Sequence, residues 1–193
     1  LSLRRTYRTS FNSTRLAITD LVQNHGYRSE PLILFYHINL GYPIFAPGAI
    51  LTIPASESWS YDAAKRRRTA LATPLTRLEP GKPTDDTRGA VSIHTPRPDA
   101  EGMAELVARS YAPTLARTVE LKVRYSTDQL PCLSTFCVQA RGCYIFAFEP
   151  GTSTVEGRDV ACNSGAAVEL DAVSSYAIDL EVEARFTDEN GRA

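Results

Sequence analysis

The sequence predicts an all-β protein, an antiparallel β-sandwich of the kind built from many short strands with little helix. Apolar and polar residues alternate with a period of two along much of the chain, and residues 117–125 follow that pattern almost throughout. Clusters of Gly, Pro, Asn and Asp separate the alternating runs, as turns between strands do. The sequence therefore favours large antiparallel sheets packed face to face.

Length and composition indicate one domain, which spans residues 1–193. A hydrophobic fraction of 43% with 22% charged residues is typical of a globular protein and too apolar for a disordered chain. The formal net charge of −1 gives no long-range attraction to nucleic acid or to an anionic membrane, so we expect neither as a partner. The basic run Lys65-Arg66-Arg67-Arg68 is interpreted as a solvated loop or a sheet edge.

The sequence favours a cytoplasmic protein with reduced cysteines. No apolar segment is long enough to span a bilayer, and the residue succession of a signal peptide is absent. The chain opens on Leu1 inside an alternating run, as a domain that is incomplete at its N-terminus would. The cysteines form no CxxC pair, which argues against zinc, and they lie in or beside β-like runs; a disulfide stays open as an alternative. They are Cys132, Cys137, Cys143 and Cys162.

The first part of the chain contains three β-like runs in succession. Residues 1–9 and 14–22 alternate, and Asn-His-Gly at 24–26 forms a turn before a further run at 31–40. Short turns between successive strands predict an antiparallel meander. A brief strand at 49–53 follows it.

Residues 57–88 break this pattern with several prolines and many charges. We predict a long irregular excursion here, with a short helical piece at about 61–71. Regular alternation then returns and continues to the end of the chain. The predicted strands are 90–94, 102–110, 117–125, 131–138, 143–148, 166–170 and 176–184.

The first candidate functional residue is His37. An apolar run at 31–35 leads into it, and Asn39 lies two residues further on, so both side chains point to the same face of an extended chain. Gly41 and Pro43 end the strand at once, which places the imidazole at a rim between core and solvent. A hydrogen-bonded core histidine is the commoner alternative for such a pattern.

The second candidate is Glu149, which ends the strongly apolar run 144–148 and is followed by Pro-Gly. A carboxyl in this position is partly desolvated, and desolvation raises its pKa towards the range that a general acid or base needs near neutral pH. The alternative is structural, since Arg158 is available as an ion-pair partner for Glu149.

Several short stretches, in their order and separation, resemble the signature segments of the aldose 1-epimerase-like family of the galactose mutarotase superfamily. The resemblance extends over about residues 14–182 and implies a sugar-binding β-supersandwich. It corresponds to the C-terminal two-thirds of such proteins, since their N-terminal sheet portion is not matched. The stretches are Thr19-Asp20-Leu21-Val22-Gln23-Asn24, His37-Ile38-Asn39-Leu40-Gly41-Tyr42-Pro43, Asp128-Gln129-Leu130-Pro131, Phe148-Glu149-Pro150-Gly151 and Glu156-Gly157-Arg158.

The resemblance implies a reaction and two catalytic residues. In mutarotases of this superfamily a histidine at a strand end is the general acid and a glutamate closing a late apolar strand is the base, which places these roles on His37 and Glu149. Exchange of anomers removes the proton of the C1 hydroxyl and protonates the ring oxygen; the ring opens, the C1–C2 bond rotates, and closure reverses both transfers. The implied partner is a monosaccharide or other small sugar, with no metal or other cofactor.

The resemblance also implies substrate-binding residues. Asn39 lies beside the proposed acid, and His94 ends its strand at a position where the family often has histidine. Phe136 keeps an aromatic platform for a pyranose face, and Trp59 is an alternative platform. Arg158 closes the last of the matched stretches.

Two functions of different classes are compatible with these residues. An aldose 1-epimerase-like enzyme requires His37 and Glu149 to face one another across an open gap the size of a hexose. A non-catalytic carbohydrate-binding module is favoured by the lack of a match to the family's N-terminal sugar contacts and by two departures from the family pattern, Thr95 after His94 and Cys137 after Phe136. A metal-dependent β-barrel enzyme is least favoured because no two of the three histidines form a ligand pair. The oligomeric state is left open.

Overall fold

Strands dominate residues 1–187, the part of the chain that the computed structural model describes. Their side chains alternate between a buried and an exposed face, as the sequence pattern predicts. The described strands, in chain order, are β1 (Ser2–Arg8), β2 (Arg15–Gln23), β3 (Glu30–Leu32), β4 (Ile38–Leu40), β5 (Ile50–Thr52), β6 (Ala55–Asp62), β7 (Arg67–Ala70), β8 (Arg77–Leu78), β9 (Ala90–Pro96), β10 (Met103–Ala112), β11 (Arg117–Ser126), β12 (Cys132–Ala140), β13 (Cys143–Gly151), β14 (Val168–Leu170) and β15 (Ser175–Thr187). They are joined by a helix, α1 (Arg158–Ser164), and a 3₁₀ turn (Pro113–Leu115).

The strands form two large antiparallel sheets and a small one. The larger sheet has seven strands in the order β1-β2-β15-β11-β10-β5-β8. The second has six strands in the order β4-β13-β12-β9-β6-β7, and β14 pairs with β3 in the two-stranded sheet. This arrangement confirms the predicted all-β antiparallel sandwich.

The core lies between the two large sheets. Leu106 and Val123 project from the seven-stranded sheet, and Leu133, Phe146 and Phe148 project from the six-stranded sheet into one apolar cluster. All five side chains are fully buried. Burial of a side chain of this size contributes about 1.5–3 kcal/mol to folding, so the two inner faces hold the sheets together.

The expectation of one strand over 31–40, in a meander with its predecessors, is wrong. The run is split into β3 and β4, which belong to different sheets, and the second neighbour of β2 is β15. The Thr152 hydroxyl interrupts the strand, since it donates to the carbonyl of Leu32 at 2.6 Å and accepts the amide of Leu34 at 3.0 Å. Long-range pairing therefore replaces the local hairpin that short turns suggest.

The predicted irregular excursion at 57–88, with its helical piece at 61–71, is also wrong over much of its length. β6 and β7 form an antiparallel hairpin on the edge of the six-stranded sheet, and β8 joins the other sheet. A β-bulge between Ala55 and Glu57 shifts the period, and serines occupy the positions on the inner side. Strand preference depends on such packing more than on apolar content, which is why the pattern was hard to recognise.

The helix α1 was not predicted. It is short, begins after Gly157 at φ 105° and ends at Gly165 in the left-handed conformation, where the Gly165 amide caps the carbonyls of Ala161 and Cys162. Within the described residues, no helix has the length and apolar character needed to cross a bilayer. All four cysteines are free thiols.

Candidate functional site

Strand register places His37 beside Glu149. The segment that precedes β4 joins β13 through the amide of Tyr36, which donates to the carbonyl of Pro150 at 2.9 Å. On the other side of His37, Ile38 of β4 lies opposite Phe148 of β13. Because the backbone is paired to β13 on both sides of His37, its side chain is held level with Glu149.

The two side chains are in direct contact. His37 Nε2 lies 3.0 Å from Glu149 Oε1, with the imidazole side chain 45% exposed and the carboxyl 6% exposed. Phe148 points into the core, so the alternation of β13 directs Glu149 to the opposite, outer face of the six-stranded sheet. The contact thus presents an accessible imidazole over a nearly covered carboxyl.

Burial sets the electrostatics of this pair. Desolvation raises the pKa of Glu149 above its ordinary value, and the charge of His37 opposes that rise. The structural alternative, a pair between Glu149 and Arg158, is not formed: Arg158 is exposed and contacts Glu30 at 3.2 Å. A carboxyl whose partner is a titratable imidazole, not a permanent guanidinium charge, keeps the ability to exchange protons.

The expected hexose-sized gap between His37 and Glu149 is absent. At 3.0 Å the two groups touch, so a pyranose ring does not fit between them in this arrangement. Strand register explains the contact, because side chains directly opposite one another on neighbouring strands have Cβ atoms about 4.5–5.5 Å apart. Any sugar must therefore meet the two groups from one side.

Two of the predicted substrate-binding residues share the outer face with Glu149. Asn39 is exposed, lies two positions after His37 and pairs with Ala147 of β13. Phe136 of β12 lies opposite Ala147 on the other side and is half-buried. One edge of its ring is covered by Gly89, since a Cβ added there would come within 2.2 Å of Phe136 Cε2.

The remaining two, His94 and Arg158, are not brought to this contact. His94 is buried on the inner face of the six-stranded sheet, where Nδ1 bonds Ser58 Oγ at 2.9 Å and Nε2 bonds Thr135 Oγ1 at 3.0 Å. Desolvation lowers the pKa of His94 to about 4, so the ring is neutral near pH 7. Both ring nitrogens already have partners, and we assign His94 no part in the site. Arg158 is the first residue of α1; its side chain is exposed and forms an ion pair with Glu30 of β3.

A second polar cluster on the outer face was missed by sequence reasoning. Arg68 of β7 makes a bidentate contact with the buried carboxylate of Glu156, which also accepts the Thr154 hydroxyl at 3.1 Å. The Arg68 guanidinium lies 5.7 Å from the centre of the Trp59 ring. Trp59 pairs with Ile93, Ile93 with Ser134, and Ser134 with Glu149, so these four residues form one row across the six-stranded sheet. The cluster lies at the end of this row opposite to Glu149.

The signal for this cluster is the basic run Lys65–Arg68, which the sequence predicts to be a solvated loop or a sheet edge and which leads into the edge strand β7. Lys65 contacts Asp62, Arg66 contacts Asp159, and Arg68 contacts Glu156. Two of the three ion pairs thus hold the β6–β7 hairpin against the segment that follows β13. Among residues 1–187, no cluster of three or more His, Cys, Asp or Glu side chains is arranged to hold a metal ion.

Comparisons with known proteins agree with the fold. The sequence profile of a family described as "Domain of unknown function (DUF4432)" matches residues 1–184. A Klebsiella pneumoniae protein named as a candidate aldose 1-epimerase superposes with a TM-score of 0.73 at 18% identity, covering 94% of this chain and 50% of that one. No curated protein matches the chain.

Two further solved structures show the same architecture. A galactose mutarotase related enzyme from Lactobacillus acidophilus has a TM-score of 0.67 at 10% identity, over 97% of this chain and 62% of that one. A galactose mutarotase-like protein from Clostridium acetobutylicum has a TM-score of 0.62 at 14% identity, over 95% and 55%. The chain thus spans about half to three-fifths of the length of these proteins, and the likeness establishes a galactose mutarotase-like β-sandwich.

Proposed function

Because the chain belongs to the DUF4432 family and has a galactose mutarotase-like fold, we propose that it is a carbohydrate-binding, aldose 1-epimerase-like protein that interconverts sugar anomers. The observation that carries the proposal is the contact between His37 and Glu149 on the outer face of the six-stranded sheet. The substrate class is a monosaccharide or other small sugar.

The pair supplies the two proton transfers that ring opening needs. The Glu149 carboxylate takes the proton of the C1 hydroxyl while the His37 imidazolium gives a proton to the ring oxygen, and closure reverses both steps. The hydroxyl and the ring oxygen are bonded to the same carbon, so an adjacent acid and base can serve both from one side once the His37 ring turns aside from the nearly covered Glu149 carboxylate. A positioned acid or base of this kind typically gains about 10²–10⁴-fold in rate.

Four observations support these roles. The raised pKa of Glu149 makes it a stronger base than an exposed carboxylate, and the exposed fraction of His37 gives a sugar access to the acid. Asn39 is exposed on the same strand and can donate to or accept from a sugar hydroxyl. Phe136 offers an apolar ring on the same face for a pyranose.

Polarimetry of freshly dissolved α-glucose or α-galactose tests this function. We expect the protein to accelerate the relaxation of optical rotation, and Glu149→Gln to abolish the acceleration, since an amide cannot accept the proton. Glu105→Gln is the matched control, because Glu105 is an exposed partner of Lys122 on the other sheet. No acceleration with several aldoses by folded protein would exclude the enzyme.

A non-catalytic carbohydrate-binding module is the second candidate, and the 3.0 Å contact itself favours it. A pair that stays closed leaves no room for a sugar between acid and base and serves only to shape a surface. This function predicts that calorimetry detects sugar binding while the rate of anomer exchange is unchanged. Absence of binding to any sugar would remove it.

A further inference from the structure

A charged cluster with a buried carboxylate and a partly exposed guanidinium lies behind His37. Asp20 of β2 is fully buried, and it accepts hydrogen bonds from Arg5 Nε at 2.7 Å and Nη2 at 2.6 Å. The hydroxyl of Tyr36 donates to Asp20 Oδ2 at 2.7 Å. The Arg5 guanidinium also lies 5.0 Å from the centre of the Tyr36 ring. The cluster thus ties β1 and β2 of one sheet to the residue that precedes His37.

Asp20 keeps its charge although it is buried. Desolvation raises the pKa of Asp20, but the hydrogen bonds from Arg5 and Tyr36 lower it by more, so the net pKa is below the ordinary value. Buried ion pairs are weak sources of stability, because apolar residues of the same volume often do as well or better. The neighbouring inward positions of β2, Ile18 and Val22, are apolar. A geometric role is therefore a better explanation for Asp20 than stability.

The segment that carries His37 packs its apolar side chains into the core, and the Tyr36 hydroxyl adds a hydrogen bond from it to the seven-stranded sheet. Between β3 and β4 the backbone pairs with β13 through the isolated bridge of Phe35 with Gly151 and the amide of Tyr36. The Tyr36 side chain is buried and points opposite to His37, because neighbouring residues in an extended chain alternate. The hydrogen bond of the Tyr36 hydroxyl therefore restrains the backbone between Tyr36 and His37.

We propose that Arg5, Asp20 and Tyr36 are positioning residues for His37, and that they hold its imidazole against Glu149 from the far side of the strand. The inference rests on the proposed function for its catalytic consequence. The positioning itself does not depend on it. Arg5 orients Asp20, Asp20 holds the Tyr36 hydroxyl, and Tyr36 fixes the backbone from which His37 projects.

Tyr36→Phe tests the inference with the full chain, since it removes one hydroxyl and leaves Asp20 paired with Arg5. We measure the Glu149 carboxyl pKa by ¹³C NMR without sugar. A partner charge within about 4–6 Å lowers a carboxyl pKa by about 1–3 units. Tyr36→Phe should displace His37 only in part, so we expect the Glu149 pKa to rise by on the order of half a unit. In the polarimetric assay, kcat should fall about tenfold with KM nearly unchanged, as loss of one hydrogen bond allows. Arg5→Gln should give the same signs with smaller effects.

The matched control is Tyr176→Phe, which also removes a tyrosine hydroxyl, one that donates to the carbonyls of Asp128 and Gln129. It should lower the melting temperature without moving the Glu149 pKa. If Tyr36→Phe lowers the melting temperature but changes neither the Glu149 pKa nor kcat, the cluster only joins the sheets and the inference is wrong. If the wild-type protein shows no mutarotation, the proposed function fails, and the NMR measurement alone decides the positioning.

Discussion

At the scale of single residues, partners and burial determine what each titratable group can do. His94 of β9 and Glu149 of β13 belong to the same six-stranded sheet, with β12 between their strands, and they point to opposite faces. His94 has two hydroxyl partners and a lowered pKa, so it stays neutral. Glu149 has a raised pKa and a partly exposed imidazole partner. The same sheet therefore carries one inert and one exchangeable group.

The neutral state of His94 predicts a pH dependence of stability. In the unfolded chain its pKa returns to the ordinary 6.5, whereas the folded value is about 4. The unfolded state therefore binds a proton that the folded state does not. The stabilisation is complete above about pH 6.5, is lost as the pH falls towards 4, and amounts to about 3 kcal/mol.

Urea unfolding of the wild-type protein and of His94→Gln between pH 4 and 8 measures this effect. Glutamine keeps hydrogen-bonding capacity but does not titrate, so the difference in unfolding free energy between the two proteins should shrink below pH 6.5. Two curves that stay parallel over the whole range would contradict a neutral, buried His94.

At the scale of elements, close backbone approach fixes how the segment carrying His37 lies on β13. A Cβ added to Gly151 would come within 2.8 Å of Phe35 Cβ and 2.9 Å of the Leu34 carbonyl oxygen. Only glycine fits there without displacement of the segment. The site therefore depends on a residue with no side chain as much as on His37 and Glu149.

Gly151→Ala should destabilise the protein by about 1–3 kcal/mol, because the methyl group overpacks against backbone that cannot yield. Gly41→Ala is the control, since a Cβ there meets nothing within 4 Å. Its effect should stay within about 0.5 kcal/mol. Thermal unfolding of both variants checks the difference, and equal losses would argue against the close approach.

The β6–β7 hairpin gives a second prediction at this scale. Arg68→Met leaves the buried carboxylate of Glu156 without its cation and should lower the unfolding free energy by about 2 kcal/mol. The loss is smaller than for a fully buried ion pair because the Arg68 side chain is one-third exposed. Arg66→Met removes an exposed pair with Asp159 and should change little. Chemical denaturation of both variants would contradict the assignment if their effects were reversed.

At the scale of the whole molecule, the two large sheets stabilise each other through a single shared core. The inner face of the six-stranded sheet packs into that core, and its outer face carries the His37–Glu149 contact. The period of two along each strand makes this division possible, because successive residues point to opposite faces.

Leu106→Ala tests the shared core, since Leu106 of β10 is fully buried between the sheets. We expect a loss of about 2–5 kcal/mol from the removed transfer free energy and the cavity left behind. Leu115→Ala, at a side chain that is 50% exposed, should cost far less. Similar losses for the two variants in equilibrium unfolding would argue against this packing.

Local patterns were sufficient to predict much of the fold. The alternation at 117–125 and 176–184 predicted β11 and β15, which pair in the centre of the seven-stranded sheet. The patterns were not sufficient for the hairpin β6–β7, because its buried inward residue is a serine, Ser58, whose partner His94 is remote in sequence. Nor could they show that β2 pairs with β15, since strand partners depend on packing and not on adjacency.

The sequence by itself determined the all-β class and most strand positions, and it singled out His37 and Glu149, which lie just before β4 and within β13. Only the tertiary structure decided that these side chains touch, that His94 faces the core, and that Arg68 is bound to Glu156. The physical reason is that alternation is a property of one strand, whereas a contact needs the register between strands that are distant along the chain.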